Sequence, residues 1–130
     1  MQTIDAARRA LAEGRTSARA LTDTVLARAE DPAGEGQRAF TRLYAERARA
    51  AADAADSLAK AGGTPAPLAG IPISIKDLFD VAGETTLAGS VALKSAPPAA
   101  ADAAIVRRLR AAGAVIVGKT NMTEFAFSGL

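Results

Sequence analysis

The chain has 130 residues and contains no His, Cys or Trp, which excludes Ser-His-Asp and Cys-His dyads, thiol redox chemistry, disulfides and imidazole or thiolate zinc sites within it. About half of it is hydrophobic, yet 34 residues are Ala and only five are aromatic, so the core is either an Ala-mediated helix layer over a small sheet or a set of apolar faces completed by other sequence. Sixteen basic side chains interleave with 14 acidic ones, leaving no basic stripe, and no apolar run approaches a membrane span, so a soluble cytoplasmic chain with no nucleic-acid or membrane partner is expected.

Residues 1 to about 61 read as three helices. Thr3 caps the first, which ends near Gly14; Thr16 or Ser17 caps the second, with Leu21, Val25 and Ala29 at i, i+4 spacing before Asp31-Pro32. The third runs from about 38 to 61, with Phe40, Leu43, Tyr44, Ala48, Ala51, Ala55 and Leu58 on one face. Its charges fall at i, i+4 as Arg42 with Glu46, Arg49 with Asp53 and Asp56 with Lys60. The Gly-Pro stretch 62–67 breaks this pattern, and Ile71, Ile73 and Ile75 then alternate with Pro72, Ser74 and Lys76 as a strand with one buried face.

Residues 77–100 lack periodicity and read as a long functional loop. Asp102 caps a helix with Ile105, Val106 and Leu109 inward, Gly113 closes it as the C′ residue, and Ala114-Val115-Ile116-Val117 is a strand buried on both sides. Strand, helix, strand implies a parallel pair. Asn121 to Phe127 reads as the beginning of another helix, and Phe125 and Phe127 would ordinarily be core.

Gly113 to Thr120 satisfies the phosphate-loop pattern G-x-x-x-x-G-K-T/S, but its four middle residues form a β-branched strand that follows a helix, so it cannot curl into an anion nest. Lys76 ends the Ile-alternating strand on the face opposite the isoleucines, at the carboxyl end where open α/β sheets bind ligands; a solvated lysine is the plainer account. Ser74 shares its face. Thr85, Thr86, Gly89 and Ser90 form a hydroxyl-rich turn, and Asn121, Thr123, Glu124 and Ser128 follow the buried strand at the same sheet edge. Their convergence there singles them out.

Leu68-Ala69-Gly70-Ile71-Pro72-Ile73-Ser74-Ile75-Lys76-Asp77, Thr85-Thr86-Leu87-Ala88-Gly89-Ser90, and 102–122 with Glu124-Phe125 together resemble the N-terminal part of the amidase signature family, bacterial amidase branch. The resemblance runs unbroken through residues 65–130, and residues 1–64 agree only as a helical lead-in. It implies a truncated α/β fold: N-terminal helices (1–64), then the start of a mixed, largely parallel sheet with flanking helices (65–130).

It further implies a carbon-nitrogen hydrolase that cleaves a linear carboxylic amide to acid and ammonia through a Ser, cis-Ser, Lys triad, without a cofactor or metal. Lys76 corresponds to the triad lysine, and Phe127 and Ser128 to substrate-contacting positions. Such a lysine needs surroundings that disfavour its ammonium form, such as burial. Both family serines lie beyond the matched segment, so Ser74, Ser90 and Ser128 are not substitutes and this chain by itself is expected to be inactive. The expected partners are a small-molecule amide and the rest of the enzyme as a second chain, or a further copy in a homo-oligomer. Leu78-Phe79-Asp80 after the Lys-Asp pair resembles free-standing amidases. A noncatalytic or split subunit, such as an A-subunit-like component of a tRNA-dependent amidotransferase, is the alternative.

Overall fold

The computed structural model describes residues 3–127. Helix α1 (Ile4–Ala12) is capped by Thr3, whose hydroxyl accepts from the Ala6 N–H, and α2 (Ala18–Glu30) by Ser17, which accepts from the Ala20 N–H. A single turn, α3 (Gly36–Ala39), leads into strand β1 (Phe40–Leu43), and α4 (Ala45–Lys60) follows. The helix expected from about 38 to 61 therefore starts later, and the lead-in contributes a strand. Strand β2 (Pro72–Lys76), a loop with one 3-10 turn at Val91–Leu93, helix α5 (Ala104–Ala111) and strand β3 (Val115–Thr120) complete the fold.

The sheet order is β1-β3-β2, with β2 parallel and β1 antiparallel to β3. This is a mixed sheet with flanking helices, as the α/β reading anticipates. Gly118 lets β1 approach. Any Cβ there would collide with the Arg42 carbonyl oxygen, so the second glycine of the phosphate-loop pattern serves strand packing.

Each sheet face carries its own core. On one, Val115 and Val117 pack against Ala18 and Leu26 of α2 and Ala48 and Ala52 of α4, the alanines permitting close helix approach. On the other, Ile75 and Ile116 pack with Tyr44, Val81 and Val106. The Ala-mediated helix layer is thus the arrangement adopted. Three helical faces differ from expectation: α2 buries Ala18, Thr22, Leu26 and Ala29, α4 buries Ala48 and Ala52 while Ala51 and Leu58 are exposed, and α5 buries Val106 while Ile105 is exposed.

The charges expected to pair along one long helix pair with other segments instead. Arg19 of α2 pairs with Asp53 at 2.8 Å, Arg49 pairs with Asp23 at 2.7 Å, and Arg42 reaches Glu84 at 2.9 Å. Hydrogen bonds from Arg49 and Arg19 hold the Asp23 carboxyl below its ordinary range. The α4 residue Asp56 accepts from the Ala18 and Arg19 N–H groups at 2.7 and 3.0 Å, satisfying the exposed donors at the start of α2. Asp56→Ala is expected to destabilise the fold by about 1–2 kcal/mol, read as a lower melting temperature, with Asp56→Asn losing less.

Asp102 does not cap α5. Its carboxylate accepts from the Ala82 N–H and from Arg110, both at 2.8 Å, tying the long loop to the helix, while the N-cap position is Ala103. Gly113 is the C′ residue as expected, donating to the Arg110 carbonyl at 2.9 Å.

Candidate active site

Because β2 and β3 are parallel, their carboxyl ends share one edge, with Lys76 in register with Thr120. Lys76 and Ser74 are exposed on one face. The chain then turns to the opposite face at Asp77, which is 1% exposed.

Asp77 is the hub of the edge. Its N–H donates to the Thr120 carbonyl at 3.0 Å, and its own carbonyl accepts from the Ala88 N–H at 2.9 Å. Carboxylate Oδ1 receives Lys119 Nζ at 2.7 Å and the Leu87 N–H at 3.2 Å. Thr41 is the extra residue at an irregularity in the β1–β3 register, and its hydroxyl faces Asp77 Oδ2 at 3.2 Å. Lys119 also donates to Thr86 Oγ1 at 3.1 Å, and that hydroxyl donates to Asp80 at 2.7 Å.

The two turns singled out by their composition meet here. The Phe125 N–H donates to the Ala88 carbonyl at 2.7 Å, and Ser90 Oγ donates to Glu124 Oε1 at 2.6 Å. A Cβ on Gly89 would stand 2.6 Å from the Met122 carbonyl oxygen, so only glycine permits this contact. Ala88 and Phe125 both hold φ of +49° to complete it, a left-handed strain that the surrounding hydrogen bonds sustain. Instead of starting a helix, residues 124–126 make one 3-10 turn. Phe125 and Phe127 are not core: they are 56% and 80% exposed, on the same edge as the half-exposed Leu78 and Phe79. Ser128 lies outside the described residues.

Lys119 is the functional candidate that sequence reasoning misses. A lysine in a strand buried through five of its six residues requires a carboxylate partner, and that was the available signal. Burial and nearby Glu84 push the hydroxyl of Tyr44, the only tyrosine, up to about 12, which keeps it protonated near neutral pH. Among the described residues, no three Asp or Glu side chains group as a metal-binding set.

The family model described as Amidase matches residues 20–129, and the chain belongs to that family. It is 50% identical over 117 residues to AtzE, a component of the 1-carboxybiuret hydrolase of Pseudomonas sp. strain ADP, covering 90% of this chain and 25% of that protein. It is 46% identical to the A-subunit of the glutamyl-tRNA(Gln) amidotransferase of Synechococcus sp. strain WH7803, covering 94% of this chain and 25% of that one. Among solved structures, the peptide amidase of Stenotrophomonas maltophilia superposes with a TM-score of 0.82 at 35% identity, over 94% of this chain and 25% of that one. The chain spans about a quarter of the length of these relatives.

Proposed function

We propose that these residues form the base-bearing part of an amidase that cleaves a carboxylic amide to acid and ammonia. The observation that carries this reading is the position of Lys76, at the carboxyl end of β2 where the 86–90 and 121–126 turns converge. In the proposed cycle neutral Lys76 draws a proton, through a bridging serine, from a nucleophilic serine. That serine attacks the amide carbon to give an acyl-enzyme. The proton passes to the departing nitrogen, and water then releases the acid. Both serines come from polypeptide other than residues 1–130.

Lys76 is exposed here, whereas an amine that must be neutral near pH 7 needs low-dielectric surroundings. The exposed Leu78, Phe79, Phe125 and Phe127 beside it suit an apolar cover supplied by the remaining polypeptide. Phe127 and Ser128 would then line the acyl side of the pocket.

A full-length enzyme containing these residues should release ammonia from at least one of a short aliphatic amide, an aryl amide and a peptide C-terminal amide. The 130 residues alone should release none. Lys76-dependent ammonia release by the 130 residues would overturn the division of the triad. The similarity to two proteins named as components of larger enzymes favours a second reading, in which the catalytic chain works within a complex. Co-purification of a stoichiometric second protein with the full-length chain tests it.

A further inference from the structure

We propose that the buried Lys119–Asp77 ion pair is a positioning device for Lys76, an inference that rests on Lys76 being the base. The pair is set in the most enclosed part of the sheet edge, with both side chains 2% exposed and Nζ 2.7 Å from Oδ1. A buried ion pair is a poor source of stability, because desolvation offsets its attraction and well-packed apolar side chains often serve as well. What charge adds is direction: a carboxylate accepts along several defined lines, and an apolar side chain along none.

Asp77 uses those lines fully. It is bound through its N–H and carbonyl to Thr120 and Ala88, and through its carboxylate to Lys119, Leu87 and Thr41. The partners come from β1, β3 and the loop after β2, so the residue is held from three segments. Since the peptide unit joining residues 76 and 77 is planar, fixing Asp77 fixes the carbonyl and Cα of Lys76. Lys119 extends the frame to Thr86 and through it to Asp80. The pair also occupies the carboxylate next to Lys76 in sequence, which strand alternation places on the opposite sheet face from the exposed Lys76. Base catalysis is sensitive to displacements of about 1 Å, which makes such bracing useful to the reaction beyond its effect on folding.

The test uses the full-length enzyme with the amide it turns over, comparing Lys119→Met, Asp77→Asn and the paired Asp77→Leu/Lys119→Met with wild type and Lys76→Ala. Both single variants should lose tenfold or more in kcat with KM within about threefold. The paired variant, which removes both charges and leaves neither unpaired, should melt near the wild-type temperature and still show the low kcat. Hydrogen exchange, which needs no substrate, should show faster exchange at the amides of Asp77, Ala88 and Phe125 in the paired variant while Val115 to Val117 stay protected.

Wild-type kcat in a folded Lys119→Met or paired variant overturns the positioning role, as does unchanged exchange at those three amides. Turnover that survives Lys76→Ala overturns the base assignment, and the inference with it. The two failures are therefore distinct.

Discussion

Lys76→Ala in the full-length enzyme is expected to lower kcat by at least about a thousandfold while leaving the fold intact. The two halves of this expectation have separate causes. Without an amine at the end of β2, the proposed serine relay has no proton acceptor, so acylation stalls and the burst of the first turnover disappears. The side chain lies outside both core clusters, so its truncation removes no packing from them and is expected to cost about 1 kcal/mol or less. Stopped-flow acylation and thermal melting check the two halves on one preparation. A variant that still acylates at the wild-type rate would remove Lys76 from the mechanism.

The largest effect on folding is expected at Gly118. A valine there would drive its Cβ into the Arg42 carbonyl oxygen and its branch toward Phe40, so β1 must separate from β3. The strand pairing from Phe40–Thr120 to Leu43–Gly118 would be lost, and with it the contact of Phe40 and Leu43 with the Ala-rich core. We expect a loss of about 3 kcal/mol or more and a melting temperature lower by about 10 °C or more. Gly118→Ala should lie between wild type and valine, since it brings the same Cβ without the branch. A neutral Gly118→Val would mean that β1 does not pack against β3 in solution.

What the sequence discloses and what it conceals divide along the range of the interactions. Thr3, Ser17 and Gly113 act on backbone groups within a few residues, and they cap as their types and spacing imply. The isoleucine alternation and the β-branched run give β2 and β3, and the parallel pairing follows from the helix between them. Phe40 to Leu43 has apolar residues at i and i+3 and suits a helix locally; pairing with distant Gly118 makes it a strand. The charges from Arg42 to Asp53 offer i, i+4 partners in sequence, but Asp23, Arg19 and Glu84 approach from other segments and take them. Asp102 likewise looks like a cap until the loop after β2 presents the Ala82 N–H.

The site divides in the same way. Lys76 stands out by its place in a motif, whereas the hub beside it depends on Asp77, Lys119 and Thr41, which three different segments contribute. Exposure of Phe125 and Phe127 also runs against residue type, because the turn that carries them is fixed by Gly89, Ala88 and Ser90 and not by burial of the rings.

The position of β2 in the sheet bears on how these residues behave when handled. With the order β1-β3-β2, the strand that carries Lys76 pairs with a strand on one side only among the described residues, and its other side presents main-chain donors and acceptors bordered by Leu78 and Phe79. Pro72 blunts only the first residue of that row. Such a border is a template for any passing strand, including a second copy of itself. Residues 1–130 produced in isolation should therefore self-associate as concentration rises, and a soluble preparation calls for a strand or a fused chain laid along β2.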